Sequence, residues 1–193
     1  QLLHLLPQDF LAGGTDAVAA RLRDPAQRDI LRERIAHGRD FDNIAQMVGW
    51  DNIRLTTLHR PEFQPLTGKT LAQAAELLGM EPVDCLCHVL AEEACNVTMI
   101  DFITCDEDIE RILRAPFASV ISDSLYPTEG LPHPRVYGTF SRILETFVRE
   151  RHALTLPEAV QRMTALPAQV LRLRGKRRIA AGMDADLNVF DPA

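Results

Sequence analysis

Phe117-Ala118-Ser119-Val120-Ile121 is a short, mostly apolar run that passes directly into Ser122-Asp123 and then into a long polar segment with Pro127, Gly130, Pro132 and Pro134. A brief apolar run bounded by turn formers predicts a buried strand. In a parallel α/β barrel, functional groups gather where strands end and the loops to the following helices begin. Asp123 occupies such a position. A carboxylate there can ligate a metal or take a proton from bound water. It can equally tighten the turn that follows it.

Downstream, His133-Pro134-Arg135 lies between prolines that restrict the backbone. Arg135 offers a planar fork suited to a carboxylate, with a nearby acid such as Glu129 as its alternative partner. Thr139 reads as the cap of a helix over Phe140 to Arg149. Thr155-Leu156-Pro157-Glu158 is a capping box with Pro in the first turn. Pro167 opens a further short helix that Gly175 ends, and residues 176–193 hold two strand-like pieces around Gly182.

Upstream, Asp106 to Leu113 reads as a short helix with Asp106 as cap, and Val97 to Ile103 as a strand. Pro82 starts a helix running to about Cys95, and Thr70 caps another that Gly79 stops. Ile53 to Leu58 is a β-branched strand candidate, flanked by loop-like stretches at 39–52 and 59–68. The first 38 residues carry helical periodicity, broken at Gly13-Gly14, with Thr15 and Asp24 as caps. Strands alternating with helices predict an α/β layout with parallel strands.

Composition narrows the class. The 193 residues are 46% apolar and 25% charged, with a net charge of −6, which excludes collagen-like and mostly disordered chains. No apolar stretch reaches the length that crosses a bilayer, and Gln1 to Pro7 lack the pattern of a signal peptide. Lys69 and Lys176 are the only lysines. The basic run Arg172 to Arg178 reads as a solvated face, so nucleic acid is not an expected partner. Cys85, Cys87, Cys95 and Cys105 are clustered rather than spread as a disulfide scaffold, which points to a reducing compartment, most simply cytoplasm. On a helix Cys85 and Cys87 point apart, so packing is preferred over a shared metal ion. His59 stands at a strand end next to Arg60-Pro61, where a loop role is preferred over metal ligation. Gly-rich phosphate loops, Gly-x-Ser-x-Gly, His-x-His and His-Glu-x-x-His are absent.

Three ordered motifs together resemble one known family. Ser122-Asp123 followed by Pro132-His133-Pro134-Arg135-Val136-Tyr137-Gly138-Thr139-Phe140 is the first, and Leu156-Pro157-Glu158-Ala159-Val160 through Pro167-Ala168 the second. Arg178-Ile179-Ala180-Ala181-Gly182-Met183-Asp184-Ala185-Asp186-Leu187-Asn188-Val189-Phe190-Asp191 is the third. They are similar to the N-acyl-D-amino-acid deacylases of the amidohydrolase superfamily, and Leu5-Leu6-Pro7 with Arg21-Leu22-Arg23-Asp24-Pro25 extends the likeness toward the start.

The resemblance implies the C-terminal portion of a (β/α)8 TIM-like barrel. Residues 1–175 would form part of that barrel, 66–113 a helical insertion near the active-site mouth, and 176–193 strands of a small β-sandwich. It implies zinc, with Asp123 as metal contact and proton acceptor, Arg135 as the grip on the substrate's carboxylate, and His133 in support. The substrate would be a small N-acyl-D-amino acid, with no membrane partner and a homo-oligomer possible. The family's Ser-Asp-Gly is Ser-Asp-Ser here, so a left-handed requirement at Ser124 would strain the loop. The other metal ligands of the family lie upstream of this segment, so the isolated chain is expected to be inactive. Two alternatives stand beside this reading. One is a catalytically incomplete piece or pseudoenzyme acting by association, and the other a dihydroorotase- or hydantoinase-like amidohydrolase of cyclic amides.

Overall fold

The computed structural model describes residues 1–126, 128–176 and 178–191. Pro127 of the polar loop, Arg177 of the basic run and the terminal Pro192-Ala193 lie outside the described residues. The chain forms two compact units, Gln1–Ile103 with Tyr126–His133, and Thr104–Leu125 with Pro134–Ala193.

The first unit is built around a helix that the sequence makes apolar on nearly every side. Helices α1 (Thr15–Arg23), α2 (Pro25–His37) and α3 (Ile44–Val48) precede strand β1 (Ile53–Thr57). Then come α4 (Leu71–Leu78), α5 (Pro82–Glu92) and β2 (Thr98–Asp101). In α5 Val83, Cys85, Leu86, Cys87, Val89, Leu90 and Ala91 are all buried, as a helix enclosed by other elements requires. The expected caps form. Asp24 accepts the Ala26 N–H, Thr70 and Gln73 close a capping box, and Gly79 ends α4 in the left-handed conformation. The loop expected at 39–52 contains α3 instead. The buried Asn43 caps it, taking the Gln46 N–H at 3.2 Å and donating to the Ile35 carbonyl at 2.8 Å. Pro61–Leu66, also read as loop, is a 3-10 helix. The α5 helix stops at Glu92 because Ala94 and Cys95 turn left-handed, three residues earlier than expected.

The strand directions differ from expectation. β1 and β2 pair antiparallel, Ile53 against Asp101 and Leu55 against Met99, with an irregularity between Leu55 and Thr57. A single crossover helix returns the chain for a parallel partner. Here two helices, α4 and α5, intervene, and the added reversal brings β2 in the opposite way. The far edge of β1 is also used. Leu55 donates to the Lys69 carbonyl at 2.9 Å and accepts from the Gly68 N–H at 2.8 Å. At the irregularity, the Leu131 N–H reaches the Thr56 carbonyl at 2.8 Å.

The second unit contains α6 (Asp106–Leu113), α7 (Arg135–Arg142), α8 (Leu156–Met163) and α9 (Ala165–Val170). Leu113, Val120, Ile143, Phe147, Ala153, Leu154 and Ala159 make its core. α7 continues through Ile143–Glu150 as a wider π-helix. Cys105 rather than Asp106 precedes α6 as its cap residue. α7 begins at Arg135, earlier than expected. Thr139 therefore lies inside it, and its hydroxyl donates back to the Arg135 carbonyl at 2.9 Å. α9 begins before Pro167 and ends before Gly175.

Two strand expectations fail here. Phe117–Ile121 is irregular. Val120 is buried and donates to the Arg162 carbonyl at 3.0 Å, whereas Phe117 is 81% and Ile121 69% exposed. Among the described residues of 176–191 no strand forms. Gly182 sits in a turn, and Lys176 pairs with Asp184 at 3.0 Å and with Asp186. A strand is stable only beside another that takes its main-chain groups, and neither segment has such a neighbour among the described residues.

The end of β1 is held by a buried charge. Glu93 is 4% exposed, and its two carboxylate oxygens accept the main-chain N–H groups of His59 and Arg60, each at 2.9 Å. Replacing Glu93 by Ala would remove both of these part-buried, charge-assisted bonds, at about 1–2 kcal/mol each. Urea unfolding of Glu93→Ala should therefore show a loss of about 2–4 kcal/mol in stability; an unchanged midpoint would remove Glu93 from this role.

Candidate functional site

Within the second unit the fold brings two of the expected site residues together. The irregular run 117–122 delivers Asp123, and α7 opens on Arg135, whose guanidinium Nη1 lies 3.0 Å from Asp123 Oδ2. The Ser124 hydroxyl donates to the Arg135 carbonyl at 3.1 Å, so both sides of the contact are tied. Asp123 carries the left-handed backbone, with φ at +47°. Aspartate tolerates that conformation better than most residues, because its short polar side chain bonds locally. The strain expected at Ser124 thus falls one residue earlier, on Asp123.

The side chain of Asp123 is 75% exposed and that of Arg135 38% exposed. An ion pair this open is screened by water and contributes at most about 1 kcal/mol. A pair this weak can exchange one partner for another at little cost. Glu129 has its carboxylate 3.2 Å from His59 Nδ1 in the first unit. His133 belongs to that first unit and is half-buried.

A cleft of about 600 Å³ opens in the second unit between Phe140, Leu144, Val160 and Met163 on the helices and Ile179 and Phe190 on the terminal segment. Neither Asp123 nor Arg135 lines it.

Among the described residues no three His, Cys, Asp or Glu side chains converge closely enough to hold a metal ion. Asp123 can supply one bond, and a catalytic zinc takes about three protein ligands. The described residues alone do not fit a metal centre. The cluster that sequence reading missed is His59 with Glu129 and Asn96, whose amide nitrogen stands 2.9 Å from His59 Nε2. Only the position of His59 at a strand end hinted at it, since its partners lie 37 and 70 residues away.

The sequence profile of the amidohydrolase family matches residues 12–193. The N-acyl-D-glutamate deacylase of Alcaligenes xylosoxydans xylosoxydans is 39% identical over 142 residues, which are 73% of this chain and 27% of that protein. The D-aminoacylase of the same organism is 36% identical over 68% of this chain and 26% of its own length. The chain therefore spans about a quarter of the length of the curated relatives it matches. Among solved structures, the N-acyl-D-glutamate deacylase of Bordetella bronchiseptica, complexed with zinc and a phosphonate mimic of the tetrahedral intermediate, superposes with a TM-score of 0.65. It is 34% identical over 77% of this chain and 30% of that one. A D-aminoacylase structure gives 0.62 at 32% identity, covering 73% of this chain and 28% of that one. Another D-aminoacylase structure concerns a binuclear metal centre.

The cysteines stand apart from this chemistry. Burial pushes the Cys85 thiol up to about 11 and the Cys87 thiol up to about 12, and raises that of Cys95 as well. All four cysteines are free, and Cys105 is exposed. Thiolates are the reactive and metal-binding form, so the three buried thiols are inert near neutrality. At pH 8, mass-mapped alkylation of the native chain should label Cys105 well before the others; prompt labelling of Cys85 or Cys87 would contradict their protonated, packed state.

Proposed function

The chain belongs to the amidohydrolase family, and on that premise we propose that the complete protein hydrolyses the amide bond of N-acyl-D-amino acids, releasing a carboxylate and a D-amino acid. The observation that carries this reading is the meeting of Asp123 with Arg135 at 3.0 Å. It joins one carboxylate suited to proton transfer with one fork suited to a carboxylate. Relatives named as deacylases of N-acyl-D-glutamate and N-acyl-D-aspartate, and as a D-aminoacylase, support the substrate class.

On this reading Asp123 would supply one bond to the metal, and its carboxylate takes the proton of the attacking water. Arg135 leaves Asp123 to grip the α-carboxylate of the substrate, and His133 supports it. Zinc is the proposed metal, with its remaining ligands outside this chain. When bound, such an ion polarises the carbonyl and acidifies water. Residues 1–175 are proposed as part of a (β/α)8 barrel of the complete protein, with 66–113 as its helical insertion, and 176–193 as a segment that takes strand form only against a β-sandwich partner, since its described residues form no strand here. The four free cysteines agree with a reducing compartment, proposed as the cytoplasm. Amides of open-chain acylamino acids are preferred over cyclic ones because only the former present a free carboxylate to Arg135.

One observation favours a second reading, that of a piece acting by association. Phe117, Ile121 and Leu125 are strongly exposed along one segment of the second unit. Apolar side chains displayed together mark surfaces that other chains cover. Sedimentation of the 193-residue chain distinguishes the two: a self-associating, inactive species supports the second reading, and a monomer sinks it.

In the complete protein, Asp123→Ala should abolish hydrolysis of N-acyl-D-amino acids; retained turnover would end its assigned role. Arg135→Ala should raise KM for carboxylate-bearing substrates by about tenfold to a hundredfold, as loss of a charge-assisted bond implies; an unchanged KM would remove Arg135 from the carboxylate.

A further inference from the structure

The polar segment that ends at His133 is fastened to the edge of β1 in the first unit. The Leu131 N–H donates to the Thr56 carbonyl at 2.8 Å, and the Thr57 hydroxyl points to the Glu129 carbonyl at 3.5 Å. Between them Gly130 has φ at +77°. A Cβ there would overlap the Thr56 carbonyl oxygen and lie 2.6 Å from Thr57 Oγ1. Only glycine lets the backbone come this close. The Glu129 side chain then reaches His59, one residue past the Leu58 that follows β1.

Both ring nitrogens of His59 are committed. The Asn96 amide nitrogen donates to Nε2, which places the ring proton on Nδ1, and Nδ1 donates to Glu129. The main-chain N–H of His59 is itself fixed by the buried Glu93. Arg60, the adjacent charge, is drawn away to Glu62 and Glu92. His59 is thus an oriented ring, held from its backbone and from Asn96, that presents one donor to one carboxylate. A general base would need a free nitrogen; this ring is a clasp.

We propose that His59 and Gly130 are positioning residues that fasten Glu129–His133 to β1, and that this clasp sets substrate affinity in the complete enzyme. The inference rests on the reading of His133 as a substrate-binding residue. The clasped segment ends at His133, within the same unit as β1. Loosening it releases the segment that carries His133, while the carboxylate chemistry of Asp123 is left in place. The effect belongs in KM rather than kcat.

The test uses the full-length protein with Glu129→Ala, Glu129→Gln and Gly130→Ala. Glu129 is exposed, so its replacement leaves the core intact. Glutamine keeps an acceptor for the His59 donor, and alanine does not. Hydrogen exchange at the Leu131 amide reads the clasp directly, without substrate. Glu129→Ala and Gly130→Ala should each speed that exchange about tenfold. They should raise KM for an N-acyl-D-glutamate by about tenfold with kcat within twofold, and Glu129→Gln should restore both. Leu131 exchange unchanged in the alanine variants would overturn the clasp. Faster exchange with an unchanged KM, or a loss that glutamine does not rescue, would overturn the positioning role. A wild-type protein inactive on every N-acyl-D-amino acid would fell the deacylase reading and the affinity role with it, while the exchange rates would still decide the clasp.

Discussion

Every main-chain N–H and C=O of a buried strand has to find a partner, and β1 finds them on both sides. One edge pairs with β2 in an antiparallel ladder. The other receives Gly68 and Lys69, and Leu131 adds a bond to the Thr56 carbonyl at the irregularity. Leaving such groups unpaired in the interior costs about 1–3 kcal/mol each, so these segments are drawn in wherever the chain can bring them. The requirement explains Gly130, whose missing side chain allows main chain to lie on main chain. It also explains Glu93, a buried carboxylate held by the two N–H groups where the strand ends.

The same requirement decides where strands do not form. Phe117–Ile121 has strand composition, yet among the described residues no ladder receives it, and two of its apolar side chains face water. Residues 178–191 behave alike, closing into turns tied by Lys176 and its two aspartates. Helices need no such partner, because their hydrogen bonds are satisfied within the element. The helices of the chain are accordingly formed, and the strand-like runs 117–121 and 178–191 are not.

Asp123 and Arg135 meet for a related reason. A loop of open geometry becomes fixed when a left-handed Asp123, the Ser124 hydroxyl and the first residue of α7 close on one another. The pairing neutralises two charges at the surface without locking them, since exposed ion pairs are weak. A group poised in this way can exchange one partner for another, which is what binding a charged substrate demands. Burial does the reverse for Cys85 and Cys87, keeping their thiols protonated and out of any metal chemistry.

Local signals were legible in the sequence because they act over a few residues. The caps at Asp24, Thr70 and Thr155, the stop at Gly79 and the packed cysteines of α5 all follow from neighbours within one or two helical turns. The three ordered motifs likewise pointed to the amidohydrolase family, and they singled out Asp123 and Arg135. Contacts between residues far apart in the chain were decided by tertiary structure alone. These include the antiparallel direction of β2, the pairing of Glu129 with His59, and the placing of His133 in a different unit from Asp123. Nothing in a local stretch records which main-chain edge a segment 70 residues away will reach. That is settled when the folded chain satisfies its buried polar groups, and it is why the helices could be read in advance while the clasp on β1 could not.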